Sequence, residues 1–111
     1  LSSTFPAAAA DQSGRFVIKG AGTATCKDYL EAYQDKPGGF LLYLGWIGGY
    51  VTAVNQYRSD TYDLTSWESM GLLAAVLQGY CREHQQTSFF NATQKLVEAL
   101  NRDSLKTFHP G

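Results

Sequence analysis

FLLYLGWIGGYVTAVN, residues 40–55, is the stretch whose reading decides the fold. No Asp, Glu, Lys or Arg occurs between Lys36 and Arg58, and Gly45, Gly48 and Gly49 interrupt the apolar run. As a membrane span it is too short: a bilayer core takes about 20 apolar residues, and this run includes Thr52 and Asn55. As a phosphate-cradling loop it lacks the strand before the glycines and the lysine after them. As a helix it is coherent. Gly45, Gly49 and Ala53 recur every four residues and so share one stripe. The remaining stripes carry Leu44, Trp46, Ile47, Tyr50, Val51 and Val54. A helix that is apolar nearly all round is wrapped by others. An interior glycine costs up to about 1 kcal/mol relative to alanine, so close packing must offset it. The pattern therefore predicts a central helix over 40–57, its small stripe admitting a neighbouring backbone. Trp46 and Tyr50 then fill the core or line a groove.

The flanking sequence supplies more helices. Thr25 with Asp28 three residues on has the shape of a capping box, which starts a helix over 26–34 that ends before Pro37-Gly38-Gly39. Thr65-Ser66-Trp67-Glu68 has the same shape, followed by Trp67, Met70, Leu73, Leu77, Tyr80 and Cys81 at helical spacing, as far as His84. A last helix begins at Thr87 or Ser88, with Phe89, Thr93, Leu96, Val97 and Leu100 on its inner face and Glu98–Arg102 as an exposed i,i+4 pair. Residues 16–18, Phe-Val-Ile, bounded by glycines, read as one edge strand or an extended arm; no second strand signal follows. Residues 1–14, LSSTFPAAAADQSG, read as a flexible N-terminal tail. Its Ala7–Ala10 run after Pro6 suits the small-residue end of a signal peptide, and equally a vector remnant. The expected fold is all-α: a small four-helix bundle with an extended N-terminal arm, one domain over 15–111.

Composition narrows the function. The chain has 111 residues, 44% hydrophobic and 17% charged, with a formal net charge of −1. That is globular, and without a charge block it offers nothing to nucleic acid or an anionic membrane. Cys26 and Cys81 are too few for a four-ligand zinc site and form no CxxC motif. Either they pair, which implies an oxidising compartment, or they are buried thiols. Cys81-x-x-His84 puts a thiol and an imidazole on one helical face, as an activated nucleophile requires. The plainer reading is an oxidised Cys81 and a His84 that favours the helix C-terminus. Asp60, Asp63 and Glu68 could do acid–base work or hold Ca²⁺, but turn and cap chemistry explains them. Asn91-Ala-Thr93 fits a glycosylation sequon yet falls inside the last helix. No GxSxG, SxxK, HExxH or GxGxxG occurs. The expectation is no catalysis, no cofactor and no metal. Aromatics make up 14% of the chain, and Tyr57, Tyr62 and Trp67 surround one loop as candidate anchors of a protein-binding patch.

Three segments together carry a family resemblance. They are TCKDYL, residues 25–30; YLGWIGGYVTAVN, residues 43–55; and GYCREHQQTSFFNATQKLVEAL, residues 79–100. This resembles the HdeA-like group of small helical proteins of the bacterial periplasm. The first segment and the late helical cysteine look like the acid-stress chaperones. The middle and last segments look like the related immunity proteins that block cell-wall amidases delivered by type VI secretion. The resemblance implies a Cys26–Cys81 staple, export to the periplasm or outside the cell, and a protein partner: a toxin or amidase, or unfolded clients. A homodimer is the assembly that it allows.

Overall fold

A computed structural model describes residues 10–35, 37–66 and 68–100. The helices are α1 (Cys26–Asp35), α2 (Pro37–Tyr57), α3 (Met70–Glu83) and α4 (Phe89–Leu100), preceded by a 3-10 turn at Gly20–Thr23. The all-α bundle is as expected, and no strand occurs among the described residues; Thr25 and Ser88 form a lone antiparallel bridge.

The N-terminus of α1 is where the fold is tied. Asp28 N–H donates to Thr25 Oγ1 and Thr25 N–H donates to the Asp28 carboxylate, both at 3.2 Å, which is the reciprocal box read from the sequence. The next free donors find carbonyls of the α3–α4 loop: Cys26 N–H reaches Thr87 at 2.8 Å and Lys27 N–H reaches Gln85 at 3.0 Å. Phe89 N–H returns a bond of 2.7 Å to Ala24. A helix end with orphan donors is thus satisfied from across the chain. At the same pole Cys26 and Cys81 form a disulfide, Cα–Cα 4.9 Å, joining the first turn of α1 to the last turns of α3.

The inner face of α4 is buried as expected: Phe89, Thr93, Leu96, Val97 and Leu100. Ser88 Oγ caps it by accepting from Asn91 N–H at 3.1 Å. Thr93 is fully buried, its hydroxyl donating to Phe89 C=O at 2.9 Å, so the sequon's threonine lies inside the core. The Glu98–Arg102 pair involves a residue outside those described. Tyr29 of α1 is the other half of the core's centre. Its ring lies 4.7 Å from Phe89 and 5.2 Å from Tyr43, and its hydroxyl donates to Ala74 C=O of α3 at 2.7 Å.

Three expectations are corrected. First, α2 begins at Pro37, not Phe40. Proline lacks the N–H that a first turn leaves unused and its φ suits a helix, so Pro37-Gly38-Gly39 opens α2 instead of merely closing α1. Second, α3 starts at Met70, capped by Ser69 Oγ accepting from Leu72 N–H at 3.1 Å. The Thr65–Glu68 box does not form, because Asp63 takes both Thr65 N–H (3.0 Å) and its hydroxyl (3.4 Å) in a tight turn. Third, α2 is not wrapped. It buries Ile47 and Val51 and leans Phe40, Tyr43, Trp46, Tyr50 and Val54 on the core, but Leu41 and Leu42 stand 64% and 71% exposed. A Cβ at Gly45 or Gly49 would meet nothing within 4 Å. The helix packs chiefly against α1 on one side. Three partners of 10, 14 and 12 residues cannot surround one of 21. No helix is long and apolar enough to cross a membrane among the described residues.

Candidate functional site

The outer side of α2 is met by an arm from the N-terminus. Asp11 starts it: its carboxylate accepts from Ser13 N–H and Arg15 N–H, each at 2.8 Å, and pairs with the Arg15 guanidinium at 3.4 Å. Gly14, at φ +78°, allows the turn. The last residues of the expected tail are therefore folded as an Asx turn. Residues 15–19 then run without helix or turn, Lys19 being extended at φ −121°, ψ 155°. Gly20, at φ +72°, bends the chain into the 3-10 turn.

Trp46 bolts this arm down. Its Nε1–H donates to Lys19 C=O at 2.8 Å. Gly22 lies against the indole: a Cβ there would overlap Trp46 Cζ2, sit 2.7 Å from Cε2 and press to 2.9 Å on Ile18 Cγ2. Only glycine leaves the ring its place.

Between arm and helix runs an apolar groove of about 460 Å³. Gly45 and Gly49 lie along its floor, and Phe16, Trp46, Tyr50 and Phe90 are among its walls. The rings touch in sequence: Phe16–Phe90 at 5.6 Å, Phe90–Tyr50 at 5.8 Å, Tyr50–Trp46 at 5.4 Å. Such offset and edge contacts hold aromatic walls in fixed orientation. Burial pushes the Tyr50 hydroxyl above its usual pKa, Arg58 opposes that and Glu98 adds to it. The group thus stays a neutral donor across the physiological range. Lys19 is the one residue lining the groove that carries a charge at neutral pH. The backbone N–H and C=O groups of Phe16, Val17 and Ile18 make no hydrogen bond among the described residues.

Of the anchors expected from the sequence, Tyr57 at the end of α2 is 78% exposed and Tyr62 in the following loop 48%. Trp67 lies outside the described residues. The loop that carries Tyr62 is built, not slack: Asn55 Oδ1 accepts from Leu64 N–H at 2.7 Å, and Leu64 is fully buried. Asp60 and Asp63 serve their own turn through Thr61 and Thr65. No group of three His, Cys, Asp or Glu able to hold a metal occurs among the described residues. Cys81 is bound in the disulfide and offers no thiolate. The His84 ring stacks on Tyr80 at 4.0 Å, with Nδ1 2.9 Å from Tyr80 C=O at the carbonyl end of α3. Sequence reasoning flagged Trp46 and Tyr50 but missed Phe90, whose signal was the Phe89-Phe90 pair: one ring enters the core and its neighbour must turn outward.

Compared with known proteins, the chain matches no family model, no curated protein and no solved structure.

Proposed function

We propose that this chain is a non-catalytic protein-binding module of the bacterial cell envelope, an immunity or inhibitor protein that blocks a partner enzyme such as a cell-wall amidase. The observation that carries the reading is the outer side of α2, which the N-terminal arm meets but does not fill. A 21-residue helix without a charge turns Leu41, Leu42, Gly45, Gly49, Ala53 and Tyr57 to the outside of a disulfide-stapled domain. A contiguous apolar surface on a rigid frame is what a protein partner desolvates. The likeness to HdeA-like immunity proteins points the same way. A preformed helix face with exposed tyrosines beside it fits an enzyme's cleft at low ordering cost, with Tyr57, Tyr62 and Trp67 as anchors. The disulfide favours the periplasm or the exterior.

Titration of purified protein into cell-wall amidases, read as the rate of peptidoglycan cleavage, tests this. Stoichiometric loss of activity is expected against the cognate enzyme. The double variant Tyr62→Ala, Trp67→Ala weakens inhibition about a hundredfold with unchanged unfolding. Unchanged inhibition removes those anchors.

A second reading, an acid-stress holdase, draws on exposed apolar side chains on α3 as well, Leu72 and Val76. It requires dye-binding apolar exposure and suppressed client aggregation at about pH 2.5. A compact, inert chain at that pH sinks it.

A further inference from the structure

We infer that residues 16–18 and the groove beneath them form one docking site for an extended, apolar segment of a partner protein, added as a strand. The inference rests on the protein-binding reading and names the segment that the partner contributes.

Two independent features meet here. One is backbone. Phe16, Val17 and Ile18 leave their N–H and C=O groups unused among the described residues, and Val17 is 77% exposed. An unpaired row of backbone donors and acceptors is a template for another chain, and the bonds it offers do not depend on the partner's sequence. The row is held open at both ends by the Asp11 turn and by the Trp46–Lys19 bond. It is therefore an edge fixed in place before anything binds.

The other feature is the groove. An incoming strand sends alternate side chains to one face. Here they would enter a space of about 460 Å³ with aromatic walls, over glycines whose missing side chains meet nothing within the monomer. Those glycines weaken α2, and no internal contact accounts for them; an inserted side chain does. Charge selects the occupant further. Lys19 is the single lining residue charged at neutral pH, so the segment that fits is uncharged and apolar along its length with a carboxylate at the Lys19 end.

The test uses a capped peptide of alternating valine and threonine with one aspartate at its end, and a twin with lysine there. Amide hydrogen exchange of the full chain is followed by NMR. The aspartate peptide should slow exchange at Phe16, Val17 and Ile18 about tenfold or more, and the lysine twin should not. Lys19→Glu should reverse that preference. Val17→Pro removes an edge donor and Gly49→Leu fills the groove floor. Neither touches the core, so neither should lower the unfolding midpoint, and both should lose the protection. Absence of protection at saturating peptide, or protection that survives both substitutions, overturns the site. Amidase inhibition that persists in Val17→Pro and Gly49→Leu also overturns it while leaving protein binding intact. Peptide protection with no amidase inhibited upholds the site and removes the immunity reading.

Discussion

Trp46 and Gly22 are a matched pair, a ring and the gap it fills. Gly22→Ala puts a methyl where Cζ2 and Cε2 of the indole lie, and overpacking of this kind costs about 1–3 kcal/mol. Denaturant titration should show that loss, and the Trp46 indole N–H should exchange faster as its bond to Lys19 opens. A variant as stable as wild type would mean that the arm is not held by the indole. Tyr29 gives a second test. Burial raises its hydroxyl well above the ordinary phenol value near 10, and neighbouring Tyr33 adds to the rise. The unfolded chain therefore releases this proton first as pH climbs. Stability from this group is complete below about pH 10 and declines above it. Burial raises Tyr43 and Tyr50 in the same direction, so they steepen the decline. Tyr29→Phe should cost about 1 kcal/mol at neutral pH, through the lost bond to Ala74, and flatten the alkaline limb. An unchanged limb would show that the phenol titrates normally. Neither pairing was legible in the sequence, because Gly22 and Trp46 stand 24 positions apart and nothing local connects them.

At the scale of the element, α2 separates what pattern can tell from what it cannot. The α4 face was readable because its apolar residues occupy one stripe, and a stripe has a direction. The apolar residues of α2 occupy all stripes, so periodicity identified a helix and carried no information about which side is covered. The answer lay in its neighbours: short helices on one side and a ten-residue arm with its turn on the other. The glycine stripe was therefore seen correctly, but the neighbouring backbone expected on it is absent: Gly45 and Gly49 face open space. The start of α3 failed for a different reason, competition: Asp63 outbids the helix for Thr65, which no spacing rule weighs. The exposed glycines yield a prediction with a sign. Gly45→Ala and Gly49→Ala meet open space at ordinary helical φ, so each should stabilise the free domain by about 0.5–1 kcal/mol in thermal or denaturant unfolding. Loss of stability in either variant would show that a neighbour does pack there.

For the whole molecule, the pole at Cys26 concentrates the long-range order: the disulfide and three backbone bonds to the α3–α4 segment, two of which make up the Thr25–Ser88 bridge, meet within a few residues. Cys26→Ser with Cys81→Ser should cost about 4 kcal/mol for a loop of 55 positions. That is a large share of the stability usual for a domain of this size. Calorimetry of the oxidised protein against the double variant measures it, and a difference below about 1 kcal/mol would place the reduced chain's order elsewhere. The anchors Tyr57 and Tyr62 could be read from composition near a turn, whereas the groove needed Phe16 brought to Phe90, a closure that only the folded topology supplies.

The staple also sets how the protein answers a pull. Tethered in an optical trap by handles before Ala10 and after Leu100, the oxidised chain transmits tension from its leading arm straight across the sulfur bridge to α4. Along the covalent path, everything enclosed between the two cysteines is bypassed. Adding reductant should then lengthen the stretched tether by roughly 190 Å, the reach of the 55 positions set free.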